Sequence, residues 1–360
     1  SYLTSLTDVL SIGTTTDIAT STGLAVYNRD IEILPGTPVQ IGGLDNGGSD
    51  AKVQIVGDLA YVADYSFGLE VIDISDPLNP IQIGGLGGGN INNLDVVGNY
   101  VYLASAGSGL RIVDISDPTN PTLVGNVNTD NNPSRIALSG NYAYLASSLS
   151  GDDLEIVDVS DPTNPVKVGG VEIGADALDL SVNGSYAYVA TNGTDHLEIY
   201  DISDPTNPFK VGGAVLDSTA RDVKIKGGYA YVVTSSTDDD FEVVDISDPT
   251  NPFKVGGLGL GNSNQGLDVS GNFAYITSNG TDQLRIVDIS DPSNPTLEGS
   301  TSGDDAGNNV TVSGNYAFMT TWTTGDELEV FDISSSTNPV KVGGADMADR
   351  GLAAFVSGNY

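Results

Sequence analysis

Residues 110–121 read LRIVDISDPTNP, from Leu110 to Pro121. The same stretch returns as LEIVDVSDPTNP from Leu154, LEIYDISDPTNP from Leu197 and LRIVDISDPSNP from Leu284. Diverged copies begin at Leu69, Phe241 and Leu328. The Asp closing the apolar run falls at 73, 114, 158, 201, 245, 288 and 332, in steps of 41, 44, 43, 44, 43 and 44 residues. A beat of that length marks a propeller, a solenoid or an array of repeats.

The unit that ends in the motif reads as strands separated by turns. Gly266–Val269 alternates, Ser270–Asn272 turns, and Phe273–Thr277 is a second strand. An Asn279-Gly280 turn leads to a third strand over Leu284–Ile289. After the Asp-Pro-Ser-Asn-Pro turn comes a short fourth strand, seen in sibling units as Phe209-Lys210-Val211 and Val340-Lys341-Val342 before Gly-Gly. Four antiparallel strands in this length match a propeller blade. Helical repeats are excluded by the prolines and the β-branched, period-two runs. The third strand is apolar on both faces (Leu110 and Ile112 against Val113 and Ile115), which suits a sheet covered on both sides.

Strand counting sets the expected blade number. The glycine between first and second strands recurs at 57, 98, 140, 184, 227, 271, 314 and 358, giving eight first strands. Third strands also number eight if Leu24-Ala25-Val26-Tyr27 is a worn copy, with Asn28 in place of the Asp. The expectation is an all-β, eight-bladed β-propeller of four-stranded antiparallel blades, spanning 15–360, with the C-terminal strand 351–356 completing the N-terminal blade. Seven blades plus an extra N-terminal module is the alternative. Residues 1–14 fit the repeat poorly and read as an arm or extra strand. Tyr2, Leu3, Leu6, Val9, Leu10 and Ile12 are its apolar residues, placed either on the first blade or on a sheet edge of a neighbouring subunit.

Composition narrows the function classes. Of the 360 residues 48 are acidic and 13 basic, a formal charge of -35, so nucleic acid and acidic membrane surfaces are poor partners. The absence of Cys removes thiol catalysis, disulfides and thiolate metal sites. No apolar run reaches 18 residues, so membrane insertion is not expected. The chain opens at Ser1, which reads as a trimmed initiator Met or a removed leader. Abundant Gly, Ser, Thr, Asn and Asp with little Lys point to an extracellular or cell-surface location.

The third-strand motif resembles the LVIVD repeat family. The likeness rests on Leu110-Arg111-Ile112-Val113-Asp114, Leu154-Glu155-Ile156-Val157-Asp158 and Leu284-Arg285-Ile286-Val287-Asp288, each followed by Ser-Asp-Pro-x-Asn-Pro. It covers about Val53 to Tyr360. It implies a propeller of the kind found in bacterial and archaeal secreted and surface proteins, and it supplies no common catalytic residues. The first unit lacks the Asp, and the last has Ser335-Ser336 for Asp-Pro.

Candidate chemistry is sparse. The recurring Asp73/Asp76 type of pair offers oxygens to Ca²⁺, but no copy has dense D-x-D-x-D-G spacing, and an Asp before Pro is suited to accept from turn N–H groups. The acidic turns Asp152-Asp153, Asp238-Asp239-Asp240 and Asp304-Asp305 read as solvated loop charge, with Ca²⁺ as the alternative and no other cofactor expected. Asn183, Asn192, Asn279 and Asn309 open Asn-x-Ser/Thr patterns, three of them also Asn-Gly turns. His196, the sole histidine, and Trp322, the sole tryptophan, have no repeat counterparts. His196 reads as a surface turn residue, too isolated for a Ser/His/Asp set.

The inner-strand position that would face an axial channel holds Lys52, Asn93, Arg135, Asp179, Asp222, Gly266, Asn309 and Ala353. That row is polar and mixed, and no acid/base pair stands out. Tyr100, Tyr142 and Tyr186 read as core rather than as a sugar-binding platform. These readings point to a non-enzymatic extracellular structural protein, a homo-oligomer or polymer within a surface assembly or filament. Tyr2, Leu3, Leu6, Val9, Leu10, Leu352 and Phe355 would carry the assembly. The alternative is an extracellular module binding a glycan or protein through loops on one propeller face, and an enzyme using the channel is the third reading.

Overall fold

Period-two alternation bounded by Gly, Asn and Pro turns fixes where each strand stops, and the computed structural model follows it. It describes residues 15–20, 23–28, 40–45, 50–64, 67–73, 75, 81–130, 132–147, 151–236, 238–261, 264–280, 282–303, 306–321, 328–345 and 351–356. All regular structure among them is strand, with no helix.

The 177–214 unit shows the plan. Its strands are Ala177–Asn183, Tyr186–Thr191, Leu197–Asp201 and Phe209–Ala214, each antiparallel to the next. Six further sheets, covering 50–86, 91–127, 133–171, 220–258, 264–301 and 307–345, repeat this order. In another sheet Gln40–Asp45, Gly23–Asn28, Thr15–Thr20 and Gly351–Val356 lie side by side, so the last strand pairs with the first.

First strands of successive sheets lie next to one another, and Gly351–Val356 sits beside both Gly307–Ser313 and Asp50–Val56. The series of first strands therefore returns on itself. Fourth strands are the outer edges, and they carry exposed apolar residues such as Phe209 and Phe253.

The third strands are buried on both faces, as their sequence requires: Leu110, Ile112 and Val113 are fully covered. Each face packs on a different sheet. Tyr188, Leu197 and Ile199 of one sheet meet Val223, Val232, Val244 and Ile246 of the next. Tyr100, Tyr142 and Tyr186 are half-buried against such clusters, in keeping with their reading as core.

First strands run longer than expected. The strand read as Gly266–Val269 extends over Asn264–Ser270, because a bulge between Asn264 and Leu267 lets pairing continue past one extra residue. Equivalent shifts occur at Ala177/Asp179 and Ala220/Asp222. A bulge re-aims side chains and frees backbone groups from the ladder. Here it falls at the row of mixed polar residues.

Candidate functional site

The charged and polar groups fall into four recurring devices, and each follows from the local fold. The first is the motif turn. Asp114 Oδ1 accepts from the Ser116 N–H at 2.8 Å, and Asp117 Oδ1 accepts from Thr119 N at 3.1 Å and Thr119 Oγ1 at 2.7 Å. The 154–165, 197–208, 241–252 and 284–295 copies repeat both bonds. These bonds hold the carboxyls of Asp158, Asp201's neighbour Asp204 and Asp245 below the usual carboxylate range. The aspartates of the motif thus spend their oxygens on turn N–H groups, and Asp76 lies outside the described residues.

The second device is the outer seam. A Cβ on Gly212 would stand 2.2 Å from the Pro249 carbonyl oxygen of the next sheet's turn. Gly84, Gly125, Gly169 and Gly256 meet Pro118, Pro162, Pro205 and Pro292 in the same way. Gly125 and the first glycine of the pairs at 84, 169, 212 and 256 are therefore seats for the neighbouring Asp-Pro turn. The second glycine at 170, 213 and 257 leaves room for a carboxylate: a Cβ on Gly213 would stand 2.6 Å from Asp195 Oδ2.

That carboxylate belongs to the third device, a lysine among acids. Lys254 Nζ lies 2.9 Å from Asp239, 3.0 Å from Glu242 and 3.0 Å from Asp217. Lys167 repeats this with Asp152, Glu155 and Asp130, and Lys210 with Asp195 and Glu198. Burial pushes the Glu155 and Glu242 carboxyls up, with the lysines pulling the other way. Burial also works against the Lys254 ammonium, but Asp239, Glu242 and Asp217 outweigh it and raise its pKa.

The fourth device clasps the loop after the fourth strand. Asp153 Oδ2 accepts from Ile173 N at 2.9 Å, His196 Nδ1 from Leu216 N at 3.1 Å, Asp240 Oδ1 from Leu260 N at 2.6 Å and Gln283 Oε1 from Gly303 N at 2.7 Å. His196, expected on the surface, is half-buried and stands where other units use an acid or an amide. Burial raises the Asp153 carboxyl against the bonds from Ile173 and Gly174.

The calcium candidates are thereby placed. Asp152 and Asp239 face lysines, Asp153 and Asp240 face backbone N–H groups, and the Asp238 N–H donates to Ser236 Oγ at 3.1 Å. Among the described residues no three His, Cys, Asp or Glu side chains are arranged to hold a metal. Of the assembly candidates, Tyr2, Leu3, Leu6, Val9 and Leu10 lie outside the described residues. Leu352 falls at a bulge of the last strand and Phe355 stands opposite Asp17. Asn192 is held by Asp176, which it meets through three bonds, whereas Asn183 is exposed at the end of its strand. Trp322 and Asp304-Asp305 also lie outside the described residues.

The inner row holds a cluster that does not repeat. In the inner row Arg135 Nε lies 3.6 Å from Asp179 Oδ1, and Lys224 Nζ lies 3.8 Å from Asp179 Oδ2 and in contact with Asp222 Oδ1. The carboxyls of Asp179 and Asp222 are within hydrogen-bonding reach of each other. Each also crosses to the next sheet: Asp179 Oδ2 accepts from Val223 N at 3.2 Å, and Asp222 Oδ2 from Leu267 N at 3.1 Å. Burial and the charge of Asp179 push the Asp222 carboxyl up to about 7, against the pull of Lys224. Burial also opposes ionisation of Asp179, but Lys224 and Arg135 outweigh it and hold that carboxyl low. The sequence placed both aspartates in the polar row. Their pairing shows only once adjacent first strands are laid side by side.

The LVIVD repeat matches the chain seven times, over residues 47–85, 88–129, 132–172, 174–213, 218–257, 261–302 and 305–346. The chain belongs to the LVIVD repeat family. Among solved structures this LVIVD-repeat chain is similar to the computationally designed Ika8 protein, with TM-score 0.69, 12% identity, and 86% of this chain and 91% of that one covered. It is similar to apo AztD from Citrobacter koseri, with TM-score 0.65, 14% identity and coverage of 97% and 99%. The periplasmic gluconolactonase PpgL of Pseudomonas aeruginosa gives TM-score 0.66, 14% identity and coverage of 96% and 99%. At such identities the likeness is one of fold, and it shows that propellers of this build include enzymes. No curated protein matches the chain.

Proposed function

We propose that this LVIVD-repeat protein is a closed eight-bladed propeller working outside the cytoplasm as a non-catalytic structural unit of a surface assembly. One observation carries the reading: outside the Asp179–Asp222 cluster, the reactive-looking groups recur from unit to unit, and each recurrence is used to hold a turn, a seam or a loop. A catalytic site is singular, whereas a scaffold repeats. Pairing of Gly351–Val356 with Thr15–Thr20 supports eight blades closed within one chain. The same pairing made between copies would join rings into a filament, the exchange route open to any ring closed by a terminal strand. Location outside the cytoplasm is supported by the abundance of Gly, Ser, Thr, Asn and Asp with little Lys and by the likeness to a periplasmic propeller.

The test is negative-stain microscopy with light scattering at several protein concentrations and Ca²⁺ levels. Stacked or linked rings at high concentration support the assembly. Dispersed single rings under every condition overturn it. Turnover of sugar lactones that is lost in an Asp222→Asn variant would overturn the non-catalytic reading.

A second reading, a binding module, is favoured by Phe67 and Val215. These are large apolar residues, 52% and 65% exposed, on turn and linker segments outside the regular strands. A glycan array and a pull-down with Phe67→Ser as the control would reveal it.

A further inference from the structure

The Asp179–Asp222 pair is a partly buried ionisable cluster that no repeated device explains. It sits where the 177–214 sheet meets the 220–258 sheet. The groups facing it come from each neighbouring first strand: Arg135 from Pro133–Ser139, Lys224 from its own strand Ala220–Lys226, and Asp268 from Asn264–Ser270. Arg221, next to Asp222, is turned to Gln265, 3.1 Å away. With one proton shared between Asp179 and Asp222, this group of five side chains is neutral. Without it, the group carries one uncompensated negative charge at a site where Asp222 is only 8% exposed. Buried charge of that kind is expelled or rearranged rather than tolerated.

We propose that Asp179 and Asp222 form a proton-operated latch between two blades. With the proton in place, the carboxyl–carboxylate bond ties the 177–214 first strand to the 220–226 strand. When the proton leaves to solvent, the two carboxylates repel and the more loosely anchored one gives way. Asp179 is that one, since Arg135 and Lys224 stand 3.6 and 3.8 Å from it, while Asp222 keeps its contact with Lys224 and its 3.1 Å bond from Leu267. Its departure releases the Val223 N–H and opens this inner seam alone. Asp268 supplies the comparison within the molecule: its Oδ2 takes the Val312 N–H at 2.8 Å across the seam between the 264–301 and 307–345 sheets. The rise of the Asp222 carboxyl to about 7 puts the switch near neutral pH.

The experiment is hydrogen exchange of the full chain at single-residue resolution from pH 5.5 to 8.5, corrected for the intrinsic pH dependence of exchange. The expected result is that protection at Val223 falls at least tenfold across neutral pH while Val312 and Leu267 hold. In Asp222→Asn, which keeps the shape but cannot ionise, Val223 should be insensitive to pH. Parallel behaviour of Val223 and Val312 in the wild type would overturn the latch. So would a carboxyl ¹³C titration placing Asp222 in the ordinary carboxylate range, a measurement that holds even if the variant fails to fold.

Discussion

Gly212 and Gly213 are adjacent in sequence, yet alanine at the two positions should have very different costs. At Gly212 the new Cβ would stand 2.2 Å from the Pro249 carbonyl oxygen and 2.8 Å from Pro252 Cδ, both parts of a turn braced by Asp248. That turn cannot yield without parting the outer seam. Overpacking against a rigid partner costs about 1–3 kcal/mol, and we expect Gly212→Ala at the upper end. Melting entropy of ~2.1 cal/mol/K per residue over 360 residues turns ~3 kcal/mol into a fall in Tm of about 4 °C. At Gly213 the Cβ would meet Asp195 Oδ2 at 2.6 Å and Asp195 Cβ at 2.9 Å, so the carboxylate swings away from its half-exposed ion pair to Lys210 while the exposed turn carrying Asp195 gives slightly. That pair is worth about 1 kcal/mol at most, so Gly213→Ala should melt within ~1–2 °C of the wild type. Differential scanning calorimetry of both variants under the same conditions is the assay. Equal shifts, or a neutral Gly212→Ala, would refute the account of the seam.

Lys254→Met should leave the fully buried Glu242 facing Asp217 and Asp239 without a cation, costing about 3–5 kcal/mol, and Glu242→Gln should restore much of it. Chemical denaturation of the single and double variants reads this. His196→Gln should keep an acceptor for the Leu216 N–H, whereas His196→Ala should lose about 1–3 kcal/mol, measured the same way. Two opposed pH slopes are expected in stability. The turn aspartates, their carboxyls held low, lend stability that is present above an unfolded value of about 3.9 and lost as pH falls through their folded values. Asp222 lends stability that is present below that unfolded value and lost as pH rises through about 7, and Asp222→Asn should remove this second slope from urea midpoints taken between pH 4 and 8. Removal of residues 351–356 should leave Thr15–Thr20 with an open edge, seen as association in light scattering or loss of a single cooperative melt.

The strand plan was legible because it is local. The alternation in Phe273–Thr277, the Gly271 turn and the prolines 292 and 295 each announce themselves within a few residues. What lay beyond reach depends on neighbours on other strands, from 15 residues away within a sheet to 37 or more in the next. The Gly-Gly pair reads as the end of a strand, and only the seated turn of the next sheet shows why alanine would not serve. The acidic turns read as solvated charge because Lys167 and Lys254, their partners, follow on a different strand. A signal for them did exist inside the repeat. Where the third strand carries Glu155, Glu198 or Glu242 the fourth carries Lys167, Lys210 or Lys254, and where it carries Arg111 or Arg285 the fourth carries Leu123 or Leu297. The pairing of Asp179 with Asp222 had no such signal, since it occurs once.

The outer seam gives the molecule a uniform coupling, with socket and plug of one gauge on every unit that has been seen to use it. Interior modules should therefore be exchangeable when moved whole, with their ion-pair complement aboard. A transplant that keeps the glycine seat and the proline turn should fit any of these berths, save where the unique aspartates key two particular neighbours to each other.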